Sequence, residues 1–264
     1  MARTRRTGPP TGKPAAVAEA EFERELEVFR TEAGTASQFF YAFLTVHAVA
    51  GDVPAVFKLL NTAPLFSNTN LGALQTSTFV TLGRMFDQDS PHNVDRVLKI
   101  AQDNPRIFSK AALGDRKRKA SPGRTEWLES YLRAAYVPKP SDFRRLRQFV
   151  RKYRRIYEDK YRDLRHKVFA HKVVSDGEAV AALFARTNIR ELQRMLVFLD
   201  SLYDALLQLY VNGRKPVVRK RRYSVRRMRA RPSPQGLGNS VQERLTHEVE
   251  RFLRAAAVSS AGRS

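Results

Sequence analysis

The sequence contains no cysteine, which excludes disulfide bonds and thiolate-bound metals. It also lacks an apolar run of the ~20 residues that a membrane span needs. The two best candidates, Ser37–Ala50 and Met195–Val211, are too short or carry Asp200 and Asp204. The basic first residues are followed by an acidic amphipathic stretch, so we expect neither a signal peptide nor a transit peptide. These absences predict a soluble, cytoplasmic protein with no membrane partner.

Acidic residues are scarce relative to basic ones. The chain has 26 Asp and Glu against 48 Lys and Arg, which gives a formal net charge of +22. Such an excess attracts polyanions, of which nucleic acid is the commonest. A generally basic proteome, or an interaction with acidic lipids, would produce the same excess. The charge therefore favours a nucleic-acid partner without identifying it.

Alternating β patterns and internal repeats are missing as well, and the apolar residues recur with a helical period. We therefore predict an all-α protein in which a basic tail (residues 1–13) precedes an antiparallel helical bundle (14–212). A disordered basic linker (213–239) and an amphipathic helix (240–258) follow the bundle. Disorder is predicted for the linker because Arg214–Arg231 is dense in Lys and Arg and contains no acid.

Within the bundle, glycine, proline and polar clusters mark the expected breaks. Gly34 separates two predicted N-terminal helices, and Thr62–Asn70 and Asn104–Arg124 are predicted to be loops. Continuous apolar stripes indicate two long helices, one from Phe143 to about Ala170 and the other over Asn188–Tyr210.

Signatures of several enzyme classes are absent from the sequence. It has no phosphate-binding glycine loop and no serine-hydrolase motif. His47, His92 and His247 are scattered, and no two histidines have the spacing that zinc hydrolases use. We therefore expect no metal and no other cofactor.

The remaining candidate for chemistry is Arg165-His166-(x)4-His171, near the end of the predicted long basic helix. A cationic neighbourhood disfavours the charged form of an imidazole, which keeps it available as a general base. A guanidinium can hold a phosphodiester and stabilise the charge that develops on it. On an ideal helix Arg165 and His171 lie about 120° apart, so they would converge only at a frayed end or across a two-fold axis. In the other interpretation His171 is a core histidine, in phase with Leu164 and Val168.

The same residues resemble a signature of the HEPN superfamily, the all-helical domains of many prokaryotic toxins and phage-defence ribonucleases. Arg165-His166-(x)4-His171 matches the R-x(4–6)-H pattern, in which Asn, Asp or His usually follows the arginine. LRHKVFAHK is similar to a motif of an abortive-infection branch, and TLGRMFD (Thr81–Asp87) is similar to the end of an earlier helix in that branch. The resemblance covers residues 15–212. Lys172-Val173 departs from the basic-acidic pair that usually follows the last histidine.

The resemblance implies a metal-independent endoribonuclease, active in phage defence or as a toxin, that works as a homodimer with a composite cleft. His171 would be the acid/base, Arg165 the phosphate clamp and His166 the support of Arg165. Arg84 and Asp87 would brace the pocket. Because they are three residues apart on one helix, the alternative is that they form only a local ion pair.

RNA contacts are expected from basic residues beside the motif and in the linker, namely Arg162, Lys167, Lys172, Arg219, Lys220, Arg221 and Arg222. The alternative function is a non-catalytic module that binds nucleic acid or a partner and uses the Arg–His pair structurally. A third interpretation is a toxin that an antitoxin or another partner protein neutralises.

Overall fold

The computed structural model describes residues 15–123, 126–170, 178, 187–219, 223–231 and 240–261. Within these residues every regular element is helical, and the prediction of an all-α fold is confirmed. The helices are α1 (Ala15–Asp52), α2 (Pro54–Thr62), α3 (Pro64–Phe86), α4 (Val94–Asp103), α5 (Lys110–Ala120), α6 (Leu128–Ala134), α7 (Pro140–Lys160), α8 (Arg162–Leu164), α9 (Ile189–Asn212), α10 (Val225–Arg229) and α11 (Val241–Ala261). A 3₁₀ turn at Pro105–Phe108 precedes α5, and a π-helical turn at Arg165–Ala170 follows α8.

One apolar core joins the long helices of the bundle. Phe22 of α1, Phe86 of α3, Leu146 of α7 and Leu196 of α9 are all fully buried in it. Burial of a side chain of this size contributes about 1.5–3 kcal/mol relative to exposure. Because α1 contacts α3, α4 and α9, it is the helix around which the others are arranged.

Two predicted breaks are helical instead. α1 continues through Gly34, because one glycine costs a helix only about 1 kcal/mol relative to alanine while Ala33 and Ala36 beside it stay buried. α3 begins at Pro64, within the stretch predicted as a loop. A proline in the first turn favours this start, since its missing N–H would have no helical partner there.

The stretch Asn104–Arg124 is also more ordered than predicted. Its 3₁₀ turn buries Ile107 and Phe108, and Ser109 caps α5 by accepting a hydrogen bond from the N–H of Ala112 (3.2 Å). Arg116 of α5 finds its partner outside the helix, because its guanidinium stacks on the ring of Tyr210, 4.0 Å from the centroid. The prediction was wrong because a few apolar residues and these long-range contacts fold a segment whose own composition is that of a loop.

Gly213 ends α9 in the left-handed conformation (φ +55°), as the sequence predicts. The chain after it is not disordered in its described part, which corrects the prediction for the basic linker. Val225 and Met228 are buried in the core, and Ser201 Oγ donates a hydrogen bond to the carbonyl of Arg219 (2.8 Å). Two apolar anchors thus order a segment whose charge alone predicts disorder. Residues 220–222 and 232–239 lie outside the described part of the chain.

The C-terminal amphipathic helix docks on the bundle as α11. It starts with the predicted capping box, in which Ser240 N–H donates to Glu243 (3.2 Å) and Glu243 N–H donates to Ser240 Oγ (3.3 Å). Leu253 and Ala257 then pack into a small second cluster with apolar side chains of α1 and α2. The limits of the predicted domains stay predictions.

Arg229 of α10 ties α11 to the end of α1. Its side chain is 11% exposed and pairs with both carboxylate oxygens of Glu250 (3.0 and 3.1 Å) and with Asp52 (2.5 Å). Burial would raise the pKa of Glu250, but hydrogen bonds from Arg229 and Arg254 outweigh it and lower that pKa below its ordinary value. The ion pair is therefore fully formed at neutral pH.

Among the described residues, no single helix combines the length and apolarity needed to cross a membrane. α1 and α2 meet that criterion only jointly, as a pair bent by 115°.

The pairing of Glu250 predicts a pH-dependent stability. Glu250→Gln should lower the free energy of unfolding by about 1–3 kcal/mol at pH 7, because it removes a charge-assisted hydrogen-bond pair. The folded-state pKa of Glu250 lies below its unfolded value of about 4.3. Its stabilisation is therefore fully present above that value and is lost as the pH falls through the folded-state pKa. Urea unfolding from pH 7 down to pH 3 measures the difference between variant and wild type.

The matched control is Glu27→Gln, because Glu27 also pairs with an arginine but in a solvent-exposed ion pair. The side chains of Arg30 and Glu27 are 54% and 59% exposed. This substitution should change stability by no more than about 0.5 kcal/mol. A Glu250→Gln effect that stays the same at pH 3 would contradict the proposed role of the carboxylate.

Candidate functional site

α3 ends at a corner that α7 holds in place. Asp87 follows the last residue of α3, and its N–H donates to the carbonyl of Gly83 (2.8 Å). Arg154 of α7 donates from Nε to the carbonyl of Phe86 (3.2 Å), while its Nη2 pairs with Asp95 of α4. The Arg154 side chain is only 9% exposed. Because it joins α3, α4 and α7, this arginine fixes where Asp87 emerges.

Arg165, the first residue of the π-helical turn, reaches back to Asp87. Its Nη1 donates to Oδ2 of Asp87 and lies 2.9 Å from Nε2 of His166. His166 Nε2 in turn lies 3.6 Å from the same carboxylate oxygen. The side chains of Asp87, Arg165 and His166 are 13%, 20% and 37% exposed. We refer to these three residues as the arginine cluster.

The nature of the contact between Arg165 and His166 depends on the tautomer of the histidine. A guanidinium has donors but no acceptor, so the contact is a hydrogen bond only when His166 Nε2 carries a lone pair. This is the contact that a supporting role for His166 requires.

Gly83 provides the space in which the Arg165 side chain lies. A Cβ at this position would be 2.5 Å from Cδ and 2.9 Å from Cζ of Arg165, closer than side-chain atoms approach one another. The arginine therefore crosses the surface of α3 one turn before Asp87. Its Nε is buried there without a hydrogen-bond partner, so only the end of the guanidinium can reach a ligand.

Tyr157 forms the floor beneath the cluster. Its ring stacks on Phe86, with 5.7 Å between the centroids and 23° between the planes. Burial, and then the neighbouring Asp87 carboxylate, raise the pKa of the Tyr157 phenol well above its ordinary value. The tyrosine is consequently neutral, and it is fully buried.

One edge of the guanidinium is left for an anion. Nη1 is engaged by Asp87 and His166, and Nη2 donates to no acceptor in the part of the chain that the structure describes. A phosphate oxygen is a suitable acceptor for this edge. Because the side chain is already held in place, binding would immobilise little additional side-chain freedom.

The structure separates the two residues that were predicted to brace the pocket. Asp87 belongs to the cluster, whereas Arg84 is 57% exposed and directs Nη1 to Glu32 of α1 (3.4 Å). The local ion pair between Arg84 and Asp87, the alternative that the sequence leaves open, is also not formed. Successive positions of a helix point about 100° apart, so Arg84 faces α1 while the residue before it faces Arg165.

The predicted RNA contacts are only partly described. Arg162 is exposed, and Lys167 pairs with Asp163 one turn earlier (3.0 Å). Arg219 is exposed and lines a separate groove between α7 and α9. His171, the predicted acid/base, lies outside the described residues, as do Lys172, Lys220, Arg221 and Arg222.

The π-helical turn changes the expected geometry of the motif. The estimate of 120° between Arg165 and His171 assumes an α-helix, but a π-helix closes hydrogen bonds from i to i+5 and so has a wider turn. The chain adopts this form from Arg165 to Ala170. Turns of this kind are frequent at functional sites.

Two residues that position the cluster were missed in the sequence. Arg154 lies four residues after Val150 and three before Tyr157, in phase with the buried stripe of α7. A charged residue in such a phase signals a buried ion pair. Gly83 stands inside the TLGRMFD segment, but a glycine in a helix does not by itself indicate which side chain needs the space.

Among the described residues, no group of three or more His, Asp or Glu side chains is placed to hold a metal ion.

Comparison with known families identifies a matching family model. The family model HEPN_AbiU2, described as AbiU2, matches residues 19–227. This range contains the whole arginine cluster and extends beyond α9 into α10. No curated protein and no solved structure matches the chain.

The close fit of Arg165 over Gly83 predicts that Gly83→Ala changes the free energy of unfolding in opposite directions in the presence and in the absence of the Arg165 side chain. In the wild type, Gly83→Ala should lower the free energy of unfolding by about 1–3 kcal/mol, because the new methyl group displaces the arginine. In an Arg165→Ala background the obstacle is gone, and the same substitution should stabilise the protein by up to about 1 kcal/mol through helix propensity. Urea unfolding of the four proteins measures both effects.

Gly72→Ala serves as the control, because Gly72 lies on the same helix and a Cβ added there would have nothing within 4 Å. It should stabilise both backgrounds equally. If Gly83→Ala also had the same effect in both, the contact with Arg165 would not be the reason for the glycine.

Proposed function

The chain belongs to the AbiU2 family of abortive-infection-associated HEPN proteins, and from this premise we propose that it is a metal-independent endoribonuclease that acts in phage defence or as a toxin. The observation that carries the proposal is the arginine cluster. Arg165 is held by Asp87 and His166 through Nη1, and its Nη2 has no acceptor among the described residues. The net charge of +22 supports a polyanionic substrate.

The proposed reaction needs one acid/base and one cation on each side of a phosphodiester. A base removes the proton of the ribose 2′-hydroxyl, and the 2′-oxygen attacks phosphorus. The bond from phosphorus to the 5′-oxygen breaks as an acid protonates that oxygen, and the products are a 2′,3′-cyclic phosphate and a 5′-hydroxyl. The Arg165 guanidinium stabilises the charge on the phosphoryl oxygens as they become crowded around phosphorus.

In this mechanism His171 is the acid/base, and His166 supports Arg165. Since one chain supplies a single Arg165 and a single His171, two copies in a homodimer provide both the base and the acid. Asp87 and Tyr157 act through Arg165: the first orients it, and the ring of the second lies beneath the pair.

The alternative is a module that binds nucleic acid or a partner without cleaving it. The low exposure of Arg165, 20%, and its ion pair with Asp87 favour a structural use of the cluster as a clasp between α3 and the π-helical turn. In that case the affinity for a polyanion would come from basic residues elsewhere, including Arg219.

The two functions differ in one assay. Purified protein incubated with tRNA and total RNA in excess EDTA should generate fragments with 2′,3′-cyclic phosphate ends. His171→Ala should reduce the rate by at least about 100-fold, the contribution typical of a general acid/base, with the circular dichroism spectrum and melting temperature unchanged.

The control is His47→Ala, because His47 is exposed on α1, where it contacts only the ring of Phe43 among its aromatic neighbours (4.5 Å). Its cleavage rate should equal that of the wild type. Cleavage that EDTA abolishes, or that persists in a folded His171→Ala variant, would refute the proposal.

A further inference from the structure

A groove of about 810 Å³ lies between α7, α9 and two later described pieces of the chain, residues 218–219 and 223–227, which we call the returning chain. It does not include Asp87, Arg165 or His166. Its volume is within the range of ligand-binding clefts in proteins. It is therefore a second candidate site, separate from the arginine cluster.

The charged side chains that line this groove are all cationic. They are Lys152 of α7, Arg190 and Arg194 of α9, and Arg219 and Arg227 of the returning chain. All five residues are exposed, and no ion pair joins any of them to a carboxylate in the described part of the chain. Arg190 and Arg194 are neighbours on one helix face, where like charges repel. An anion in the groove would remove this repulsion.

Aromatic rings lie between these cations. Tyr153 stacks on Phe198 in the wall between α7 and α9, with 4.2 Å between the centroids and 15° between the planes. Phe149, one turn earlier on α7, keeps 38% of its surface exposed at the groove. Tyr223 contributes a further ring from the returning chain. Rings interleaved with cations are the surface on which unpaired bases stack while their phosphates are neutralised.

We propose that this groove binds a single-stranded nucleic acid without sequence preference. Its phosphates contact the five cations, and one or more bases stack on Phe149 and on the edge of Tyr153. A duplex fits this surface less well, because its base faces are covered by neighbouring pairs. A site for a single phosphate would leave most of the five charges unneutralised.

The groove and the arginine cluster both include residues of the segment from α7 to the π-helical turn. Tyr153 precedes Arg165 by twelve residues, a separation of at most roughly 18 Å at the helical rise of 1.5 Å per residue. The proposal that the bound strand continues from the groove to Arg165 rests on the proposed function. Binding in the groove itself does not.

The experiment measures binding of a fluorescent 12-nucleotide oligo(U) RNA, the DNA of equivalent sequence, an RNA duplex and polyglutamate to the full-length protein. His171→Ala protein is used throughout, so that cleavage cannot interfere. We expect both single strands to bind at least about 10-fold more tightly than the duplex or polyglutamate. Polyglutamate binding as tightly as RNA would overturn the proposal, because it would show a general preference for polyanions.

Two changes probe the two parts of the groove. Arg190→Ala combined with Arg194→Ala should weaken binding at least about 10-fold. The salt dependence, as the slope of log affinity against log salt, should become shallower by about 1.4, since each lost phosphate contact accounts for about 0.7 in a single strand. Phe149→Ala should weaken binding by about 5- to 100-fold with the slope unchanged, because it removes a stacking contact and no charge.

The control pair is Lys58→Ala with Arg106→Ala, two exposed cations that do not line the groove. It removes the same charge and should change the affinity less than about 3-fold. An equal loss from both pairs would refute a localised site. Failure of the proposed function is a separate result: wild-type protein would then cleave no RNA, while these groove variants would still lose binding.

Discussion

The ion pair between Asp87 and Arg165 is the interaction on which the arrangement of the candidate site depends. It joins the end of α3 to the π-helical turn, and Arg154 holds the same helix end from the other side through the carbonyl of Phe86. Removing one partner of such a poorly exposed pair leaves the other charge uncompensated, which costs far more than the pair itself contributes. Gly83 has no side chain and so leaves room for Arg165, and the ring of Tyr157 lies beneath the pair. The site thus depends on how the end of α3 meets Arg154 of α7 and the π-helical turn, and not on the motif alone.

Three of the scarce acids pair with poorly exposed arginines from other elements of the fold. Asp95 pairs with Arg154, Asp87 with Arg165, and Glu250 with Arg229, and each arginine is at most 20% exposed. The cations of the groove between α7 and α9 have no such partners in the described residues. These three arginines therefore join elements of the fold, whereas the cations of the groove remain exposed. The excess of 48 basic over 26 acidic residues makes this division possible.

The sequence predicts the elements whose apolar residues repeat. The helix from Phe143 follows from its apolar stripe, but α7 ends at Lys160, and a turn at Tyr161 corrects the prediction of one continuous helix to about Ala170. The helix within Asn104–Arg124 depends on contacts from other parts of the fold. Asp87 and Arg165 are 78 residues apart, and only the family resemblance connects them before the structure is known. No local pattern reveals that Gly83 accommodates an arginine from another segment. Periodicity measures what a segment buries, and it contains no information on which distant side chain will lie across it.

The π-helical turn at Arg165–Ala170 has a consequence for how the motif varies in length. Such a turn holds one residue more than an α-helical turn over the same rise of the chain. A sequence that lost one residue here could wind the turn as α-helix and still present the next element in nearly the same direction. The family signature tolerates four to six residues between its arginine and its histidine. A turn that absorbs single-residue insertions and deletions gives a physical reason why such a spacing need not be constant.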